Sequence, residues 1–161
     1  MTDSSFACLS FLEDETSHLF ELMIEKAEDT ATSLLLDIIL QETRKHRELL
    51  KHLSLVFEKG ASVSSVECEK MGEWFTQALA LTRAVKAGVE SGMHVPEAAR
   101  RLIDFEKGVG EEYVTQVHAT LRASIQENEA VKTVLESIAE DEKGHAEILQ
   151  FVIELAARHN I

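Results

Sequence analysis

The chain has 161 residues and carries 29 Asp and Glu against 16 Lys and Arg, a formal charge of −13 with an isoelectric point near 4.9. That length suits one domain, 1–161, with a full hydrophobic core, and the charge argues against nucleic acid or anionic lipid as partners, since both need clustered cations. One Pro and seven Gly leave few helix breakers in a chain rich in Ala, Leu, Glu and Lys, so composition predicts an all-α fold.

No apolar run reaches the roughly 18 residues of a membrane span; the best, 34–40, is interrupted by Asp37. The N-terminus has neither the basic start nor the unbroken apolar stretch of a secretory signal, and Cys8 and Cys68 are too few for a disulfide framework. A reducing cytoplasm is the expected compartment. Two isolated cysteines also exclude a four-thiolate metal module, so any metal site must draw on His and carboxylates.

Five helices are expected. The first follows the polar cluster at 2–5 and runs to about Glu28, with Leu9, Leu12, Phe20 and Met23 at helical spacing. After a short turn at 29–32 the second runs from about Ser33 to Lys59, with Leu35, Ile38, Ile39, Leu49, Leu50, Leu53 and Phe57 inward and Gly60 as its stop. A third spans 64–92; Ser64 and Glu67 have capping-box spacing, and its Trp74-Phe75 pair is read as sealing it to the rest. Pro96 opens the fourth and Asn128 caps the fifth.

The chain also repeats. A shift of 99 residues lays the second helix on the fifth, matching Ile39 with Ile138, His46 with His145, Leu50 with Leu149 and Glu42 with Asp141. A shift of 93 residues lays the first on the fourth, matching Leu9 with Leu102, Glu13 with Glu106 and Phe20 with Tyr113. Two related hairpins, 4–59 and 95–159, joined by a long helical crossover at 64–92, predict a four-helix bundle with a pseudo-twofold axis. The crossover, about 27 residues or roughly 40 Å as one helix, is long enough to carry the chain from one end of the bundle to the other.

Charged residues seldom sit on an apolar stripe unless paired or bound to metal. Glu13 and Glu106 occupy matched places on the inward stripes of the first and fourth helices, and His46 and His145 on those of the second and fifth. Glu142 precedes His145 by three residues and shares its face. A single Glu-x-x-His is weak in an acidic helical chain, and Glu15-x-x-His18 reads as surface. Likewise His18, His52, His94, His118 and His159 have no matched partner and read as solvated or capping side chains. The matched set is more specific than its parts: Glu-x-x-His on one inward face, with single Glu residues on partner helices, is the pattern of a carboxylate-bridged dinuclear site.

At these residues the sequence resembles the ferritin-like superfamily, and within it the rubrerythrin-like proteins. The residues that carry the resemblance are Leu12, Glu13, Glu15 and Phe20, then 26–29, and the run 138–147 that holds Glu142, His145 and Glu147. The resemblance covers the four bundle helices and leaves the crossover outside. It implies that Glu13 and Glu106 are terminal carboxylates, Glu142 a bridging carboxylate, and His46 and His145 one imidazole for each of two metal ions. One position departs from the pattern: where the second-helix motif has Glu three residues before its His, this chain has Thr43, which replaces neither the charge nor the denticity of a carboxylate. Glu42, turned about 100° from that position, and its counterpart Asp141 are read as acceptors that orient the opposite His through its free ring N–H.

Such ligands suit iron or manganese, with zinc also accommodated. The expected chemistry is that of an iron-dependent oxidoreductase, peroxidase or ferroxidase in type, acting on peroxide or dioxygen. The alternative is a ferritin-like scaffold with a degenerate or single-metal site that acts by binding a partner or by self-association, for example as a homodimer. Because Thr43 removes an anionic ligand beside His46, unequal occupancy is expected, with the His145 side filling first.

Overall fold

The computed structural model describes residues 5–60, 62–105 and 129–159, and there the chain is all-helical, with no strand. The long helices are α1 (Ser5–Lys26), α2 (Thr30–Phe57), α4 (Glu73–Glu90), α5 (Val95–Phe105) and α6 (Glu129–His159), with the four-residue α3 (Ser65–Cys68) and a 3-10 turn (Glu69–Met71) between α2 and α4. Among the described residues no helix is long and apolar enough to cross a membrane. Glu106, Tyr113, His118 and Asn128 lie outside the described residues.

Local chemistry sets the boundaries. Asp29 accepts from the Thr32 N–H at 2.8 Å, so α2 starts three residues earlier than its hydrophobic pattern suggests. At its far end the N–H groups of Glu58 and Gly60 both donate to the Ser54 carbonyl, with Gly60 at φ 68°. The Glu58 carboxylate then takes the Phe6 and Ala7 N–H groups at 2.7 and 3.0 Å, satisfying donors that the first turn of α1 would otherwise leave unpaired. This closes α1 and α2 into an antiparallel hairpin.

Three sequence expectations need correction. The crossover is not one helix over 64–92: the Ser64–Glu67 capping box starts only α3, and the chain breaks at Gly72, whose φ of 120° and ψ of 174° belong to a region open essentially to glycine. On α2, Ile38 and Phe57 are not inward but 47% and 46% exposed; the buried stripe is Leu36, Ile39, Thr43, His46 and Leu50, a stricter three-four spacing. The cysteines are not isolated either. Cys8 on α1 and Cys68 on α3 form a disulfide, both sulfurs buried.

The Cys8–Cys68 bond and the Arg83–Glu15 pair at 3.1 Å run α4 parallel to α1. Contacts of His46 with Asp141 and of His145 with Glu42 run α6 antiparallel to α2. Trp74 and Phe75 are buried edge to face, as a seal between α4 and its neighbours requires. The apolar residues separate into two clusters. One holds Leu19 and Met23, Leu36 and Ile39, Val85 and Val89, Leu102, and Leu149 and Val152. The other holds Leu9 and Leu12, Leu50, Phe75 and Leu79, and Leu135 and Ile138. Four helices contribute to both, and each passes from one cluster to the other through a short buried polar step.

Gly72→Ala should lower unfolding stability by about 1–3 kcal/mol, because a Cβ is strained at this φ whatever room surrounds it. Chemical denaturation checks this; an unchanged midpoint would mean that the break between the 3-10 turn and α4 does not depend on glycine.

Candidate metal centre

The polar step consists of Glu13 and Ser17 on α1, Thr43 and His46 on α2, Thr82 on α4 and His145 on α6, all buried. Three of these are hydroxyls that bond back into their own helices: Ser17 to the Glu13 carbonyl at 2.9 Å, Thr43 to that of Ile39 at 2.8 Å and Thr82 to that of Ala78 at 3.0 Å. Glu13, His46 and His145, with the partly buried Glu142 between them, are left to interact with one another.

The two imidazoles stack with ring centroids 6.0 Å apart. Each uses Nε2 to reach a carboxylate on the opposite helix: His46 to Asp141 at 2.9 Å and His145 to Glu42 at 2.8 Å. Lys45 also pairs with that Asp141 oxygen. With the outer nitrogens engaged, both Nδ1 atoms face Glu142 Oε1, at 3.2 Å from His46 and 3.5 Å from His145. The buried His46 Nδ1 has no hydrogen-bond partner among the described residues, despite its closeness to that oxygen. If Nε2 carries the proton given to Asp141, a bare Nδ1 lone pair confronts a carboxylate oxygen, an arrangement that calls for a cation between them.

The donor set fits a metal ion. Glu13, His46 and Glu142 each offer a ligand atom within 4.8 Å of the others. Two ligands at right angles on an ion with bonds of about 2.1 Å stand about 3.0 Å apart, close to the observed nitrogen–oxygen approach. Carboxylate and imidazole together suit iron, manganese or zinc.

Burial alone would raise the Glu142 carboxyl, but the two imidazoles that face it, His145 first and then His46, bring it down to about 2. For His145 burial acts downward, and Glu142 and then Glu42 overcome it, raising the imidazole to about 9. Glu13 is pushed well above the usual carboxylate range by burial and then by the charge of Glu142. Without metal, therefore, Glu142 is an anion and His145 a cation, while the surroundings of Glu13 disfavour its ionised form.

Of the residues expected from sequence, Glu13, His46, Glu142 and His145 come together, and Glu42 and Asp141 lie on the outer nitrogens of the opposite histidines. Glu106 falls outside the described residues. Among the described residues the three-residue group lies on the His46 side, while the expected preference for the His145 side also involves Glu106, which lies outside them. Glu142 extends across from α6 and stands nearer His46 than its own helical neighbour His145, supplying the carboxylate that Thr43 does not. Sequence reasoning missed Ser17 and Thr82; the signal was a hydroxyl residue on the buried stripe at the height of the histidines. His18 and His94 are exposed, in line with their reading as solvated. No protein-family model, no curated protein and no solved structure matches this chain.

These shifts set the pH response of the metal-free protein. The depressed Glu142 contributes stability that is complete above 4.5 and lost as pH falls toward about 2. The raised His145 contributes stability that is complete below 6.5 and lost as pH rises through about 9. Glu13, also raised, acts in the same sense as His145. Urea midpoints should decline from pH 6.5 to beyond 9, and His145→Gln should flatten that limb. A midpoint that rises over this interval would contradict the assigned charges.

Proposed function

We propose that this chain is a ferritin-like metal-binding protein of rubrerythrin-like type, with α1, α2, α5 and α6 as the bundle helices and α3–α4 as the crossover. Its centre is built on Glu13, His46, Glu142 and His145, with Glu106 as the remaining carboxylate, and takes iron or manganese in preference to zinc. The observation that carries the reading is Glu142 Oε1 facing the Nδ1 atoms of two buried histidines whose Nε2 atoms are each tied to a carboxylate. Bound iron would supply one-electron redox chemistry toward peroxide or dioxygen, which makes the activity that of a peroxidase or ferroxidase.

The chain's own residues do three things. Asp141 and Glu42 fix ring orientation and raise the basicity of the nitrogens facing Glu142. The apolar clusters on either side exclude water from the layer. Glu13 and His145 hold the protons that an incoming cation displaces, so binding releases protons and tightens with rising pH. Thr43, bonded to the Ile39 carbonyl, favours the second reading, a scaffold with single-ion or reduced metal chemistry that acts by association.

Anaerobic calorimetric titration with Fe(II) or Mn(II) tests the proposal. Glu142→Gln and His46→Gln should each weaken binding at least tenfold. Asp141→Asn should weaken it about 10- to 100-fold through the ring it orients. Thr43→Glu should add binding capacity. Absence of binding, or indifference to Glu142→Gln, overturns the metal reading; a tight ion with no peroxide or dioxygen turnover favours the scaffold.

A further inference from the structure

Between Gly60 and Gly72 the chain passes over the Cys8 end of α1. Among the described residues of 62–71, Cys68 alone is fully buried; Val66, Glu67, Glu69 and Lys70 are exposed, and Val63 and Met71 are half-buried. α3 packs on α1, and its capping box gives it local order of its own. Gly60 and Gly72, both at positive φ, stand on either side of the segment. It is held by the bond from Cys68 to Cys8 and by Val63 and Met71, which pack against the same apolar cluster.

We propose that Cys8 and Cys68 are a reversible redox pair that latches this segment over the apolar cluster beside the centre, so that reduction lifts the segment and loosens the ligands. Both cysteines share that cluster with Leu12, Leu50 and Ile138. Leu12 precedes Glu13, Leu50 lies one helical turn after His46, and Ile138 one turn before Glu142, so the cluster underlies three of the ligands. A dithiol of the cell's reducing system is the fitting reductant. Its thiolate attacks one sulfur and forms a mixed disulfide, and the other cysteine leaves as a thiolate and takes a proton. The reagent's second thiol then closes its own disulfide and frees the remaining cysteine. Two electrons and two protons pass to the pair, and the dithiol is oxidised. Hydrogen peroxide reverses the change, accepting two electrons and the two thiol protons and leaving as two waters as the disulfide closes.

The first arm of the test needs no metal and stands apart from the proposed function. Metal-free protein is treated with dithiothreitol under native conditions, with thiol counting, limited proteolysis and amide exchange. The expected result is a rise from no free thiols to two per chain and at least a tenfold faster cleavage within 62–72, with α1, α2 and α6 still protected. Cys68→Ser should show the fast cleavage without reductant. A pair that resists reduction until the whole chain unfolds, or cleavage that does not change, overturns the latch. The second arm rests on the metal reading: Fe(II) should bind at least tenfold more weakly to the reduced protein than to the oxidised one. Equal affinities overturn the coupling to the centre. Binding in neither state overturns both the metal reading and the coupling, while the latch is decided by cleavage and exchange.

Discussion

A carboxylate and two imidazoles buried in one layer of a helical core must be balanced by protons or by a metal, and the packing of this protein is arranged around that requirement. Glu13, His46 and His145 are as deeply buried as the leucines above and below them. Unpaired, each would carry a large desolvation cost. The fold meets it by placing Glu142 where it faces both rings, by giving each ring's far nitrogen to a carboxylate at the layer's edge, and by favouring the neutral form of Glu13. The three hydroxyls at the same height are turned back into their own helices, so they neither compete for these partners nor add unsatisfied groups.

The crossed pairs follow from antiparallel packing of two helices with the same pattern. When α2 and α6 meet with Glu42 level with His145, His46 is necessarily level with Asp141, because both spacings are four residues. Thr43 and Glu142 occupy corresponding places, and there the symmetry breaks: one side chain bonds within its helix, the other spans both rings. A pair of carboxylates would put two like charges in the space that Glu142 alone occupies. The threonine removes that repulsion and leaves one anion to serve two imidazoles.

Much of this was legible in the sequence, for identifiable reasons. Helix content, the matched histidines and the opposition of Glu42 and Asp141 to them all depend on spacing along a regular helix, which sequence carries directly. Less was legible where the chain departs from regularity. Gly72 could be seen, but not that its φ would be positive, so 64–92 read as one helix. The Cys8–Cys68 pairing depends on how the segment after α2 folds back, which no local spacing encodes. The reach of Glu142 toward His46 is a matter of how two helices approach, and that decided which side of the layer gathers three ligands. Ile38 and Phe57 read as inward because the apolar pattern of α2 is broader than the face it buries.

The layer also bears on what the protein is for. Replacing a buried ionic cluster with well-packed apolar residues is often neutral or stabilising, so such a cluster is poor evidence of a contribution to stability. Here apolar side chains at Glu13, His46, Glu142 and His145 would join the two flanking clusters into one continuous core. Among the described residues the chain instead interrupts that core at the same height on each of the four helices shared by the two clusters, and it surrounds the interruption with groups that orient lone pairs inward. An arrangement that the fold does not need, and that keeps an imidazole nitrogen buried without a hydrogen-bond partner among the described residues, supports the proposal of a cation that those groups receive.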